Sequence, residues 1–270
     1  MDVKNVKAAY FSPTGTTRAV VRAIVAGIAP DAGAGEPEFL DITLPGSRKK
    51  PLTVAEDDLL VIGVPVYMGR VPALLGDWLN AIRLRATPTV CVVVYGNRAY
   101  EDALLELKNM VAQRGGVPVA CAAYVGEHSF SSAERPTAQG RPDKDDLEHA
   151  REFGRKIRAK MQSLSPAAQV PDVAVPGVLP YRKDSKLWDV DFIAVSDECT
   201  QCGACAEACP TGAIDPQDAA RIDPVRCITC CACIKLCPQG ARSMKPGPVL
   251  DASVRLNTLF RECCRPECFL

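Results

Sequence analysis

Short apolar runs alternate with amphipathic stretches along the chain up to residue 163. The runs are rich in Val, Leu and Ile without polar alternation, as in buried parallel strands. The predicted strands are Val6–Phe11, Glu38–Ile42, Asp58–Pro65, Thr89–Tyr95 and Val117–Val125. The amphipathic stretches predict helices at Thr16–Ile28, Pro72–Arg83, Tyr100–Arg114 and Asp143–Met161. This alternation predicts the α/β class, with an open, doubly wound parallel sheet that binds ligands at its carboxyl edge.

The pattern changes after this first domain, residues 1–163. Residues 164–195 space prolines among Ala, Val and Gly, which predicts a linker that is either an extended tether or a chain crossing the domain surface. Residues 196–245 contain an internal repeat with little apolar bulk, so something other than a conventional core must stabilise them. Residues 246–270 predict an amphipathic helix over 249–262, followed by a cysteine-rich tail.

Charge and hydropathy exclude two broad classes of function. The 270 residues carry 32 basic and 32 acidic side chains, a balance that argues against a broad nucleic-acid footprint. The longest apolar stretch, Leu59–Met68, is far shorter than the roughly 20 residues of a membrane span. The first residues also lack the apolar run of a signal peptide, so we expect a cytoplasmic protein.

The chain has 14 cysteines, and only Cys91 and Cys121 precede Cys199. In a reducing compartment this clustering predicts metal ligation rather than disulfides. Both halves of the repeat read C-x2-C-x2-C-x3-C-P, a run that resembles bacterial two-cluster ferredoxins, in which the fourth Cys ligates the other cluster. The zinc alternative is disfavoured because a zinc ribbon needs four ligands, not eight.

The ferredoxin resemblance implies a small α+β domain with two [4Fe-4S] clusters. The first would be ligated by Cys199, Cys202, Cys205 and Cys237. The second would be ligated by Cys227, Cys230, Cys233 and Cys209. We interpret Cys231 as a small buried residue that does not ligate a cluster. The alternative interpretation is that it serves as a cluster ligand. The roles of Cys263, Cys264 and Cys268 stay open between reduced thiols, a redox pair and a further metal site.

The first predicted strand ends in the sequence FSPTGTTR, which is not a Walker A loop because the motif's lysine is missing. Its hydroxyls at a helix start indicate either a phosphate site or an ordinary capped helix. The segment Ser12–Thr17 also fits the flavodoxin pattern [ST]-x-T-G-x-T. This resemblance covers roughly residues 4–160 and implies a short-chain flavodoxin-like sheet of five strands in the order 2-1-3-4-5. The implied ligand is FMN, with its phosphate held by Ser12, Thr14, Gly15, Thr16 and Thr17.

By the same resemblance, the isoalloxazine ring lies between the loops Pro65–Pro72 and Tyr95–Tyr100. The implied contacts are Pro65, Val66, Tyr67, Met68, Gly69, Tyr95, Gly96, Asn97, Arg98 and Tyr100. Tyr67 is the candidate to stack on the ring, and Arg70 or Arg98 would supply a positive charge near flavin N1. Ordinary packing is the alternative for Tyr67 and Tyr100. His128 is a candidate proton relay, with a solvated loop histidine as the alternative.

Taken together, the chain resembles the flavodoxin–ferredoxin fusion proteins of anaerobic bacteria and archaea. The resemblance implies a carrier that passes low-potential electrons between two [4Fe-4S] clusters and FMN, to or from a redox partner protein. The alternative is a ferredoxin-fed FMN-dependent reductase of a small organic substrate. The two hypotheses predict different structures for loop 125–142. The reductase requires a loop that encloses a pocket over the ring, whereas the carrier requires a loop that leaves an open edge. The sequence identifies neither the partner, nor the direction of electron flow, nor the oligomeric state.

Overall fold

The computed structural model describes residues 5–29, 36–164, 170–182 and 189–270. Its strands are β1 Asn5–Tyr10, β2 Glu38–Asp41, β3 Thr53–Val54, β4 Asp58–Pro65, β5 Arg83–Leu84, β6 Thr87–Tyr95, β7 Gly116–Val125, β8 Ile193–Val195, β9 Arg242–Met244 and β10 Glu267–Phe269. Its α-helices are α1 Thr16–Ile28, α2 Gly76–Ala81, α3 Ala103–Gln113, α4 Lys144–Ser163, α5 Ala204–Glu207, α6 Ala232–Lys235 and α7 Pro248–Leu259. Short 3₁₀ turns cover Pro45–Lys49 and Ala73–Leu75, so the helix predicted over 72–83 is a turn followed by the short α2.

The main sheet has six strands in the order β10-β7-β6-β4-β1-β2. Five of them are parallel, and counted by themselves they follow the order 2-1-3-4-5. This is the doubly wound, flavodoxin-like arrangement that the resemblance implied. The prediction of five strands was incomplete, because β10 adds a sixth strand antiparallel to β7. A strand of three residues is too short for its hydrophobic pattern to identify it.

Both faces of the sheet are covered by helices, as expected for buried parallel strands. On one face, Ile24 of α1 and Phe153 of α4 belong to one apolar cluster. On the other face, Trp78 of α2 and Leu107 of α3 belong to a second. A capping box fixes the start of α4, where the Asp143 side chain accepts the Asp146 N–H. The connections that follow β1, β4, β6 and β7 therefore meet at one edge, where the candidate site lies.

The cysteine repeat forms a compact unit beside that edge. Its two-stranded sheet pairs β8 with β9 in antiparallel fashion, and α5 and α6 each contain a single turn. The small apolar core contains Phe192, Ile193, Cys231 and Val249. Among the described residues, no helix is long and apolar enough to cross a membrane.

Residues 170–182 of the segment predicted as a linker follow the surface of the sheet domain, whereas Ile193–Val195 at its end form β8 of the cysteine unit. Val173 is buried in the sheet-domain core, and its carbonyl accepts a hydrogen bond from Lys108. Farther along, Arg182 binds the buried Asp102 carboxylate at 2.9 Å. The segment is thus a chain crossing the surface, one of the two readings of its sequence, although residues 165–169 and 183–188 lie outside the described part.

Candidate functional site

The connection between β1 and α1 is a tight loop held by side-chain hydrogen bonds. Ser12 donates its N–H to Thr43 Oγ1 at 2.9 Å, and its own Oγ accepts the Arg18 N–H at 3.0 Å. Gly15 has a φ of +87°, a conformation that favours glycine, and it is the N-cap residue that precedes α1. The first N–H groups of a helix have no acceptor within the helix and attract anions.

Thr17 gives this loop a second feature that points to a ligand. The residue is 1% exposed, and its Oγ1 has no hydrogen-bond partner among the described residues. A buried hydroxyl is normally satisfied, so an acceptor from outside the chain fits here. The loop therefore suits the terminal phosphate of FMN both by its helix start and by this hydroxyl.

The loop opens into a cleft with about 790 Å³ of empty space, part of it open to solvent. The predicted contacts that line this cleft are Ser12, Thr14, Thr16, Thr17, Pro65, Val66, Tyr67, Met68, Tyr95 and Gly96. A second cavity continues from it over the loops after β4 and β6, and it adds Gly69 and Arg98 from the predicted set. The structure thus brings both predicted ring loops to the phosphate loop, with a combined space suited to a flavin nucleotide.

Four candidates from these loops do not line either cavity. Gly15 forms the turn before α1 and does not line the cleft. Tyr100 is buried in the core against Tyr95, with 5.4 Å between ring centroids, and donates its hydroxyl to Glu267 at 3.0 Å. Asn97 donates to the carbonyls of residues 260 and 262 and accepts the Cys264 N–H, so it holds the C-terminal tail. Arg70 forms a two-bond ion pair with Glu106. The ring-contact predictions for Tyr100 and Asn97 are therefore corrected, because each side chain is hydrogen-bonded to the C-terminal segment and lines neither cavity.

The two glycines of the ring loops make room for neighbouring side chains. A Cβ at Gly96 would lie 2.2 Å from His128 Cδ2, and one at Gly69 would lie 2.3 Å from Glu101 Oε2. This packing accounts for the absence of a side chain at both positions.

His128 lines both cavities, where the sequence placed it. Desolvation, with the positive charges of Lys235 and Arg98, lowers the pKa of His128 from 6.5 to about 4. Its Nδ1 accepts the Phe130 N–H at 3.0 Å, so in the neutral ring Nε2 carries the proton. At neutral pH this histidine is therefore uncharged, with its proton on Nε2.

The eight repeat cysteines predicted as ligands surround two separate cavities. One cavity is lined by Cys199, Cys202, Cys205 and Cys237. The other is lined by Cys209, Cys227, Cys230 and Cys233. The fourth cysteine of each half thus lies with the other half's first three. In the described part of the chain, no three Cys, His, Asp or Glu side chains are arranged to hold a single metal ion. The four thiols around each cavity fit the ligand set of an iron–sulfur cubane.

The environment of the second cysteine set also suits a bound iron–sulfur cluster. Burial raises the pKa of the Cys230 thiol well above its usual value and that of Cys233 to about 11. Thiolates there need iron to offset the cost of burying their charge. Backbone groups assist, since the Ala213 N–H donates to Cys209 Sγ at 3.2 Å. Cys231 also lines this cavity, and its thiol donates to the Thr229 carbonyl at 3.8 Å, so its role stays open.

The second cysteine cavity and the cleft share a wall. Ile228 lines both spaces, and Thr229 lines the cleft. Tyr67 approaches from the other side: burial, followed by the negative charges of Cys230, Cys231 and Cys227, raises its pKa well above its usual value. The sequence analysis missed Ile228 and Thr229. The available signal was the apolar Ile228 at a position that holds the polar Thr200 in the first half of the repeat.

Polar contacts hold the cysteine unit against the sheet domain. Lys235 Nζ lies 2.5 Å from Glu127 Oε1, and both side chains are half-buried. Arg48 donates to the Pro210 carbonyl at 2.6 Å. The cavity beside the cleft is closed on one side by Leu256 and Phe260 of the C-terminal segment, a wall that the sequence also did not predict.

Residues 198–241 match the 4Fe-4S dicluster domain family. Among curated proteins, a ferredoxin of Megasphaera elsdenii is 71% identical over 21 residues, a match that covers 8% of this chain and 39% of that ferredoxin. The chain also resembles solved flavodoxins. One from Archaea is 14% identical, with a TM-score of 0.40 over 58% of this chain and 99% of that one. Flavodoxin 2 of Bacillus cereus is 16% identical, with a TM-score of 0.41 over 58% and 99%.

The chain therefore joins a sheet domain of flavodoxin-like topology to a ferredoxin-like iron–sulfur segment. That combination indicates a redox function.

Proposed function

We propose that this chain is an electron-transfer protein that holds FMN in the cleft and one [4Fe-4S] cluster in each cysteine cavity. The phosphate would bind at the Ser12–Thr17 loop, and the ring would lie between the loops after β4 and β6. When bound, the clusters exchange single electrons and the flavin exchanges one or two, so such a chain passes electrons between them and a redox partner. We keep the domain bounds 1–163, 164–195, 196–245 and 246–270 as part of the proposal, with β8 at the end of the second segment paired to β9 of the third.

The observation that carries this proposal is the shared wall. Ile228 lines both the cleft and the cavity of Cys227, Cys230 and Cys233, so the two spaces lie next to each other. The cavity lined by Cys199 and Cys202 does not include any residue that lines the cleft. This order supports a relay in which the second cluster is next to the flavin and the first is farther away.

Residues 126–130 of loop 125–142 line the cleft without enclosing it, because Met68 and Leu259, which line its cavities, are 41% and 64% exposed. An open edge favours the carrier over an enzyme that encloses its substrate. The alternative, a ferredoxin-fed FMN-dependent reductase of a small organic compound, rests on the second cavity and on the His128 Nε2–H beside it. All 14 cysteines are free, which supports a reducing compartment such as the cytoplasm.

The test is reduction of the flavin by a low-potential one-electron donor in rapid mixing. In Cys230→Ser the second cluster should be lost, and flavin reduction should slow by about tenfold or more at saturating FMN, because the group next to the cleft is missing. Cys263→Ser is the matched control, since this exposed thiol lines neither cysteine cavity.

Equal rates in Cys230→Ser and the parent chain would show two independent carriers on one chain. Fast reduction of the FMN by NADH or NADPH alone would instead favour the reductase.

A further inference from the structure

The two C-x2-C loops of the repeat have the same backbone and opposite environments. Gln201 and Thr229 occupy equivalent positions, with φ values of +55° and +52°. Gln201 is exposed, and its side chain accepts the Ala219 N–H at 2.8 Å within its own unit. Thr229 is 6% exposed and lines the cleft of the sheet domain. The repeat has therefore diverged at the position where one loop meets the other domain.

Thr229 contacts both candidate sites. Its backbone N–H donates to the Cys227 sulfur. Its carbonyl accepts the Cys231 thiol at 3.8 Å, which ties it again to the second cysteine loop. Thr229 also lines the same cleft as Thr14, Thr16 and Thr17 of the phosphate loop. A shift in the loop around Cys227 must therefore move a wall of the cleft.

We propose that Thr229 is part of the FMN site and that it couples FMN binding to assembly of the second cluster. This inference rests on the proposed function. Cluster ligation by Cys227 and Cys230 fixes the loop, and the fixed loop presents the Thr229 side chain and the Ile228 surface to the flavin. Without iron, the four thiols of this set have no common group that fixes their positions, so the wall loses its support.

Coupling of this kind is reciprocal. If the assembled cluster tightens FMN binding by a given factor, bound FMN stabilises the cluster by the same factor. The chain would then favour the state in which both groups are present. The first cluster has no such contact, since Gln201 faces solvent.

The experiment compares FMN dissociation constants, measured by quenching of flavin fluorescence in anaerobic titrations of the full chain. The parent chain is titrated with its iron–sulfur clusters loaded and again after iron removal. We expect at least about fivefold tighter binding in the loaded form. Thr229→Ala should reduce this ratio toward one while keeping its iron, because the backbone donor to Cys227 remains. Thr229→Ser should retain most of the ratio, and the matched control Gln201→Ala should retain all of it.

Equal FMN affinity in the loaded and iron-free parent chain would overturn the coupling. An unchanged ratio in Thr229→Ala would overturn the role of Thr229. If Thr229→Ala loses iron, the decision rests on Thr229→Ser, whose ratio must then match the parent chain. Failure of the proposed function has a different signature: the loaded parent chain would not bind FMN, or would contain no iron and sulfide.

Discussion

At the scale of single residues, Thr17 shows how a binding site differs from a merely stable fold. A buried hydroxyl without a partner costs roughly 1–3 kcal/mol, and Thr17 Oγ1 has none among the described residues. The residue is placed by α1, whose first turn it belongs to. The chain without ligand thus carries a cost that a bound phosphate would remove.

Thr17→Val should separate the two effects. Valine has nearly the shape of threonine without the hydroxyl, so the ligand-free chain should gain on the order of 1 kcal/mol in its free energy of unfolding. FMN affinity should fall by about tenfold, since a hydrogen bond to a charged group is worth about 1.5–3 kcal/mol. Urea unfolding of the FMN-free protein and a fluorescence titration measure the two quantities.

Thr43→Val is a useful comparison, because Thr43 supports the loop through the Ser12 N–H without lining the cleft. Unchanged FMN affinity in Thr17→Val would place the phosphate elsewhere.

Residue identity could place the Ser12–Thr17 loop at the candidate site but could not identify every residue that lines the cleft. Ser12–Thr17 is a local pattern, whose parts lie within one turn and the start of one helix. Tyr100 depends instead on a partner far along the chain: its hydroxyl reaches Glu267, and a tyrosine at a strand end looks the same in sequence whether it meets a ligand or a carboxylate. Asn97 was misread for the same reason, since its partners are in the tail.

At the scale of elements, hydrophobic periodicity predicted the helices and strands that are long enough to have a clear pattern. The bounds of α1 and β4 match the prediction, because long apolar runs and a clear helix start identify them. The helix predicted over 72–83 contains a 3₁₀ turn, and β10 was missed, since both depend on tertiary packing. The exchange of the fourth cysteine between the two halves was implied by the ferredoxin resemblance alone, and the two cysteine cavities agree with it.

This exchange has a direct test. Anaerobically purified protein should contain about eight iron atoms and about eight acid-labile sulfides per chain, four of each for every cluster. Cys209→Ser should abolish the spectroscopic signal of the cluster at Cys227, Cys230 and Cys233 and leave the other. Cys231→Ala should keep both, if Cys231 is a buried spectator.

Loss of the Cys199 cluster in Cys209→Ser would reject the exchange. Zinc without sulfide in the purified chain would reject the clusters altogether.

At the scale of the whole molecule, the contact between the two units sets the distance between the candidate sites. No local sequence pattern predicts this contact, because it depends on which surface of each unit is apolar once folded. Ile228 packs against the core of the sheet domain, and Lys235 faces Glu127 beside it. A half-buried ion pair at such a place orients the units more than it stabilises them.

Lys235→Glu should therefore weaken docking by placing two negative charges together. We expect reduction of the flavin through the clusters to slow several-fold, with iron content unchanged, because Lys235 is not a proposed ligand. Rapid-mixing absorbance measures the rate. The charge-swapped pair Lys235→Glu with Glu127→Lys should restore most of it, whereas an equally slow double variant would show that attraction between these charges is not what matters.

The strand β10 lies beyond the cysteine unit in sequence yet belongs to the sheet domain in space. The cysteine unit is consequently fastened at both ends, by Arg182 on Asp102 before it and by Asn97 and β10 after it. A unit anchored at both ends behaves as an insertion into the sheet domain and not as a module that swings on a single linker. The two fixed anchors set the effective concentration of the cysteine unit at the cleft. The entropy lost on closing the chain between these anchors is lost when the protein folds, and not again when the unit docks. Each docking event would then start from a position already close to the cleft, at any dilution of the protein.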